Sequence, residues 1–363
     1  MRFSRRAFLV QTSAIIGAPH VARAQASVSD EMIAEMLIVG FAGASGDADS
    51  ARNLARHIAA GRAGGACFLG HNTRSREGIE SLTALFQGAG RRWKPLVAVD
   101  QEGGAVQRLS NKLGYPAIPA AQAVAARKDV DEARKIYAAM AGELRAAGFN
   151  FNMAPVVDLG FEPRNPIVAK FGRAFGPDGE TVARYAGACV AAHRSTGVLT
   201  ALKHFPGHGS TLTDSHAKPV DITSTWRPDE LEPFRRLTRA GLVDVVMSGH
   251  LSHAKLTGGE PATLSKTAID GVLRRDIGYD GAVMTDDLDM AAIRSRYQLD
   301  DAVIRAIAAG NDLILLSNSL TPEPDMPLKI IAAVKDAVVK GRLRASQIES
   351  ASRRIAELKS RIG

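Results

Sequence analysis

Residues 202–216 read Leu-Lys-His-Phe-Pro-Gly-His-Gly-Ser-Thr-Leu-Thr-Asp-Ser-His. The run that leads into them, Leu199 to Phe205, passes from apolar to polar as the end of a buried strand does. Pro206, Gly207 and Gly209 then break regular structure and let a loop turn sharply. Around that turn stand Lys203, His204, His208, Asp214 and His216. Packing does not call for so many titratable groups at one strand end. A histidine oriented by a carboxylate is a proton-transfer device near neutral pH, and Asp214 and His216 are close enough in sequence to form that pair.

Outward from this stretch, the same unit recurs along the chain. Short apolar runs at 36–41, 65–69, 96–100, 149–157, 200–205, 243–248, 282–286 and 313–317 are predicted strands. Amphipathic segments at 50–62, 76–88, 130–147, 180–195, 228–240, 266–276 and 300–309 are predicted helices between them. The tail from residue 327 onward is two more helices broken near Gly341. Eight strands alternating with helices predict a single-domain α/β fold, a (β/α)8 TIM-type barrel. A doubly wound open sheet is the runner-up, disfavoured because no Gly-x-Gly-x-x-Gly follows an early strand.

The predicted strands end in polar residues and start in apolar or small ones. The third ends Val99-Asp100-Gln101-Glu102-Gly103-Gly104 with Gln107-Arg108 beyond, and the fourth carries Asn152 and Asp158. The fifth ends in Lys203-His204, the sixth in Ser248-Gly249-His250 and the seventh in Thr285-Asp286-Asp287. In a barrel all carboxyl ends meet at one rim, so these groups converge on a single mouth. Several have plainer uses. Asp287 and Asp289 suit the cap of a following helix, Asp158 suits a turn, and His250 and His253 suit loop hydrogen bonding. His57, His71 and His193 have no partner nearby in sequence. Asp100 and Asp286 resist such readings, because an aspartate ending an apolar strand is desolvated unless it is paired or used.

The chain has 363 residues, 45% hydrophobic and 23% charged, enough core for one large barrel or two modest domains. Its net charge of +8 includes four arginines in the first 24 residues, which hold no acid, leaving +4 for the remainder. A charge that small, without basic runs, gives no reason to expect nucleic acid as a partner. Cys67 and Cys189 lie in separate apolar segments and are expected as buried thiols. Arg2, Arg5 and Arg6 precede an apolar run over 7–18, and Ala22-Arg23-Ala24 is a small-x-small cleavage site. Residues 1–26 therefore have the layout of a secretory signal, too short to span a bilayer. Ser4-Arg5-Arg6-Ala7-Phe8-Leu9 resembles the twin-arginine export signal. The expectation is a periplasmic catalytic barrel over 27–363 with no stable membrane insertion.

The blocks Val99-Asp100-Gln-Glu102-Gly-Gly-Ala-Val-Gln-Arg108, Asn152-Met-Ala-Pro155-Val-Val-Asp158 and Arg173-Ala-Phe175-Gly176 are followed by Lys203-His204-Phe-Pro-Gly-His208-Gly and Asp214-Ser-His216. Met284-Thr-Asp286-Asp287-Leu-Asp-Met290 and Ala309-Gly310-Asn311-Asp312 complete the series. In this order the chain resembles glycoside hydrolase family 3, in its single-domain β-N-acetylhexosaminidase branch (the NagZ type). The resemblance implies a retaining mechanism with Asp286 as nucleophile and His216, oriented by Asp214, as acid/base. It also implies that Asp100, Arg108, Arg173, Lys203 and His204 surround a terminal N-acetylhexosamine of peptidoglycan fragments or chitin-like oligosaccharides. No cofactor or metal is implied. Met247-Ser248-Gly249-His250 and Thr285 depart from the family's usual residues at those places.

Other readings of the same residues stay open. A family relative could act as a β-glucosidase or an N-acetylglucosaminide phosphorylase, since an imidazole does not repel phosphate as a carboxylate does. A metal-dependent barrel hydrolase would use His204, His208, His216 and His250 as ligands, although Lys203 beside them would repel a cation. A non-catalytic sugar-binding protein is the third alternative.

Overall fold

Eight short parallel strands form the wall of the molecule, which we describe from a computed structural model covering residues 28–215, 217–319 and 322–362. They are β1 (Leu37–Gly40), β2 (Gly65–Phe68), β3 (Leu96–Val99), β4 (Phe151–Asn152), β5 (Leu199–Phe205), β6 (Val245–Ser248), β7 (Ala282–Thr285) and β8 (Ile314–Leu316). Each pairs with its sequence neighbours, and β1 pairs with β8, Ile38 opposite Leu315. The ring closes between β7 and β8 by a bridge of Met284 to Leu313, with Thr285 N donating to Leu313 O at 2.9 Å. A closed ring replaces the doubly wound alternative.

The strands are buried on both faces, as their near-continuous apolar sequences require when helices cover the outside. Helices start where a side chain accepts an otherwise unpaired amide: Ser75 from Gly78 N at 3.0 Å, Asp129 from Glu132 N at 2.8 Å, Asp178 from Thr181 N at 2.8 Å. The final two helices, Met326–Val339 and Ala345–Lys359, are separated by a turn with Gly341 at φ +72°. Gly40 ends β1 where a Cβ would lie 2.1 Å from Ser317 O, so only glycine lets β1 and the end of β8 approach.

The observed elements differ from the sequence expectation at several places. The fourth strand, expected over 149–157, pairs regularly only at Phe151–Asn152. Pro155 has no N–H to give the ladder, though Val157 N still reaches Lys203 O at 2.7 Å. The segment expected as a helix over 266–276 is a wider π-helix, Thr267–Asp276. A short antiparallel hairpin, Gln101–Gly103 with Val106–Gln107, follows β3 and was not foreseen. The expected export signal lies outside the described residues. Among those that are described, no helix is long and apolar enough to cross a membrane.

One part of the core is aromatic. Phe68 of β2 stands 5.1 Å from Phe41, 5.9 Å from Phe86 and 4.8 Å from Phe149, ring centre to ring centre. All four rings are buried, joining the wall of β2 to the helix Arg76–Gly88. Phe68→Ala is expected to lower stability by about 3–5 kcal/mol. Chemical denaturation checks this as a lower midpoint with an unchanged slope.

Candidate active site

The carboxyl ends of the strands surround a cavity of about 270 Å³ at one mouth of the barrel. Its apolar lining is sulfur-rich, with Cys67, Met153, Met247 and Met290. Its polar wall holds Asp100, Glu102, Arg108, Arg173, Lys203, His204, Asp286 and Asp287. The sequence-predicted residues Asp100, Arg108, Arg173, Lys203, His204 and Asp286 are thus brought together from loops after β3, β4 and β7 and from β5 itself.

Lys203 sits at the centre of the charges. Its Nζ lies 2.7 Å from Asp100 Oδ1 and 2.7 Å from Glu102 Oε1. The Arg173 guanidinium grips the same Glu102 with two bonds of 2.8 Å. Burial opposes the charge on Glu102, but Arg173 and Lys203 outweigh it and hold the carboxyl well below the ordinary range. Burial likewise works against the Lys203 ammonium, yet Asp100 and Glu102 raise its pKa overall. Two basic and two acidic side chains thus meet in one largely buried network, with hydrogen-bonding groups to offer a hydroxyl-rich ligand. Glu102 was part of a sequence motif but not singled out as a site residue. It is carried by the hairpin, whose first strand ends at Gly103 with φ +96° and whose turn begins at Gly104 with φ +58°.

His204 Nδ1 donates to Asp158 Oδ2 at 2.7 Å, which fixes the ring. Asp158 Oδ1 also takes the backbone amides of His204 at 3.1 Å and His208 at 2.7 Å. Burial alone would raise the Asp158 pKa; the His204 contacts overturn this and lower it. The turn assigned to Asp158 is therefore a junction between strand β5 and the loop that follows. The peptide between Lys203 and His204 is cis. Asp286 follows β7, its amide donating to Ser248 O at 2.9 Å and its Oδ1 accepting from Asp287 N at 2.8 Å.

Other expectations are corrected or settled by their contacts. Asp287 and Asp289 do not cap the next helix, Ala291–Arg294, whose cap position is Met290. Instead Asp287 Oδ1 accepts from Asp289 N at 3.1 Å and from Ser317 N at 2.9 Å, tying the ends of β7 and β8 together. Burial pushes the Asp287 carboxyl up to about 6. His250 lies between Thr263 Oγ1 at 2.9 Å and Asp287 O at 2.8 Å. His193, buried and pushed down to about 4, packs with Asn152 at 3.0 Å. Cys67 and Cys189 are both buried thiols. Among the described residues no group of three or more His, Cys, Asp or Glu side chains is arranged to hold a metal ion.

The loop after β5 is supported from below. Glu230, fully buried, accepts from Gly209 N at 2.9 Å and Ser210 N at 3.3 Å. His208 is buried between Thr211 and Ser215, and burial followed by the nearby His204 pushes it down to about 4. Asp214 is half-buried, and its carbonyl accepts from Ala217 N at 3.2 Å. His216 lies outside the described residues, so the geometry of the Asp214–His216 pair rests on sequence alone.

Residues 28–358 match the glycosyl hydrolase family 3 N-terminal domain. The chain belongs to glycosyl hydrolase family 3. It is a glycoside hydrolase by that membership, acting on O-glycosyl bonds. Among curated relatives, Beta-hexosaminidase LpqI of Mycobacterium tuberculosis is 34% identical over 91% of this chain and 82% of its own length. Beta-hexosaminidase A of Pseudoalteromonas piscicida is 32% identical over 82% of this chain, which spans only 53% of that relative. Among solved structures, the β-N-acetylhexosaminidase of Beutenbergia cavernae superposes with a TM-score of 0.81 at 30% identity, over 92% of this chain and 99% of its own. The family 3 β-N-acetylglucosaminidase of Paenibacillus sp. str. FPU-7 gives 0.82 at 33%, over 92% of this chain and 62% of its own.

Glu230 makes one pH-dependent contribution to the stability of this family 3 barrel. Burial pushes its carboxyl up to about 7. The folded state therefore holds a proton that the unfolded chain releases near pH 4.5, so this group's contribution favours folding at low pH and is lost as pH rises from about 4.5 to 7. Glu230→Gln keeps an acceptor for Gly209 and Ser210 without the charge. It is expected to gain stability over the parent at pH 8 relative to pH 5, by on the order of 3 kcal/mol. Urea denaturation at the two pH values reads the difference.

Proposed function

We propose that this chain is a retaining, exo-acting β-N-acetylhexosaminidase that removes terminal β-linked N-acetylglucosamine. The observation that carries the reading is the placement of the Asp286 carboxylate in one small pocket with the Asp100–Lys203–Glu102–Arg173 cluster and His204. A cavity of about 270 Å³ suits one sugar ring, the size an exo-acting enzyme needs for a terminal residue. Several relatives are named Beta-hexosaminidase, which supports the 2-acetamido sugar.

In this reading Asp100, Lys203, His204, Arg108 and Arg173 hold the ring hydroxyls with its anomeric carbon over Asp286. An Asp286 oxygen attacks that carbon as the bond to the leaving oxygen breaks, and His216, oriented by Asp214, gives the leaving oxygen its proton. The neutral imidazole then takes a proton from water, whose oxygen displaces Asp286 and restores the β configuration. A histidine has its ordinary pKa near working pH, so it serves both halves without the burial a carboxylic acid would need. The catalytic unit is the barrel over 27–363. The basic, apolar leader supports export to the periplasm, where peptidoglycan fragments or chitin-like oligosaccharides are the substrates.

Asp286→Ala is expected to abolish release of aryl from a β-N-acetylglucosaminide, and a slow fluorinated donor should add its mass to the peptide holding Asp286. A product that appears first as the α anomer by proton NMR would overturn retention; a rate that requires phosphate would make the acceptor phosphate instead of water. His216→Ala should lose about 10²–10⁴-fold on an alkyl or sugar leaving group and far less on dinitrophenol, which departs without a proton. Steady-state kinetics on the two substrates checks it.

A further inference from the structure

Two loops meet at the mouth of the barrel. One runs from Phe161 to Arg173 of the sugar pocket, and the other is the segment 207–215 that leads to the acid/base pair. Asn165 is buried between them, 1% exposed. Its Oδ1 accepts from Ile167 N at 3.0 Å and Val168 N at 2.7 Å, fixing its own loop. The carbonyls of those two residues accept from Arg173, at 3.2 Å from its Nη1 and 3.0 Å from its backbone N. On the other side Asn165 Nδ2 donates to His208 O at 2.8 Å and Gly209 O at 3.1 Å, with Thr211 Oγ1 at 3.2 Å.

The line of contacts continues through His208. Its Nδ1 is 2.7 Å from Thr211 Oγ1 and its Nε2 is 3.0 Å from Ser215 Oγ. Ser215 is buried, 2% exposed, and stands in sequence between Asp214 and His216. Asn165, His208 and Ser215 do not line the sugar pocket. They therefore touch no bound ring, yet they span the whole distance from the arginine that faces it to the residue between the proposed acid/base partners.

We propose that Asn165 is a positioning residue for proton transfer, a strut that acts through His208 and Ser215 to set the acid/base pair against Arg173. This rests on His216 being the acid. The chemistry of the strut is specific: one amide group offers an acceptor to two N–H groups and donors to carbonyls, a division only Asn or Gln supplies. A displacement of about 1 Å in such a group costs on the order of 10²-fold in rate. Because His208 stays neutral at working pH, the strut does not alter with the protonation of its middle member.

The test is Asn165→Asp and Ser215→Ala beside His216→Ala, each assayed for kcat and KM on an alkyl β-N-acetylglucosaminide and on the dinitrophenyl one. Asn165→Asp keeps the acceptor for Ile167 and Val168 but turns a carboxylate oxygen toward two carbonyls. Both strut variants are expected to lose about 10–100-fold in kcat on the alkyl substrate and under about 3-fold on the dinitrophenyl one, with KM nearly unchanged. Should Asn165→Asp fail to fold, Ser215→Ala carries the test, since it removes one hydroxyl and leaves Asn165 in place. Equal losses on both substrates, or none on either, while His216→Ala remains selective, overturn the strut. A His216→Ala variant that loses equally on both substrates removes the acid assignment instead, and the strut with it.

Discussion

A buried carboxylate organises the working end of this barrel. Asp158, 1% exposed, carries its charge inside protein, where desolvation costs several kcal/mol unless the lone pairs are filled. They are filled by the His204 ring and by the amides of His204 and His208. One side chain from the segment after β4 thereby determines the course of the chain as β5 ends and turns. The orientation of His204 toward the pocket, and the starting point of the loop 207–215, both depend on it.

The same economy governs the charges around Lys203. An isolated ammonium or carboxylate could not stay ionised in so enclosed a place, but Lys203 is shared between Asp100 and Glu102, and Glu102 is shared with Arg173. The cluster pairs two basic with two acidic side chains, so each cation faces a carboxyl group. A sugar offers many weak dipoles and no charge, and such a set can bind them in either direction of hydrogen bonding. The loop after β5 is built differently: its start at His208 and Gly209 is held by Glu230 and Asn165, neither of which lines the pocket.

Much of this was legible in the chain. The alternation of apolar runs and amphipathic segments predicted eight strands and a closed barrel, because a strand buried on both faces must be apolar throughout. The phasing of Asp100, Lys203, His204 and Asp286 to strand ends predicted one shared mouth, and the parallel barrel delivers it. Asp287 and Asp289 misled because an aspartate near a helix start is usually a cap, whereas here Ser317, 30 residues later, supplies the partner for Asp287. Glu102, Asn165 and Glu230 were not legible as supporting groups. Their partners lie 71, 43 and 21 residues away, at Arg173, His208 and Gly209.

By itself, then, the order of residues determined the fold class, the rim at which chemistry gathers, and the family whose motifs those residues form. These follow from local rules: periodicity, strand-end polarity and the spacing of glycine and proline. Only the tertiary structure decided which buried charge answers which, that Asp158 fixes His204 and that Glu102 joins Arg173 to Lys203. The physical reason is that a buried ionised group is stabilised by whatever lies within a few ångströms, and sequence separation places no limit on that distance once a barrel closes.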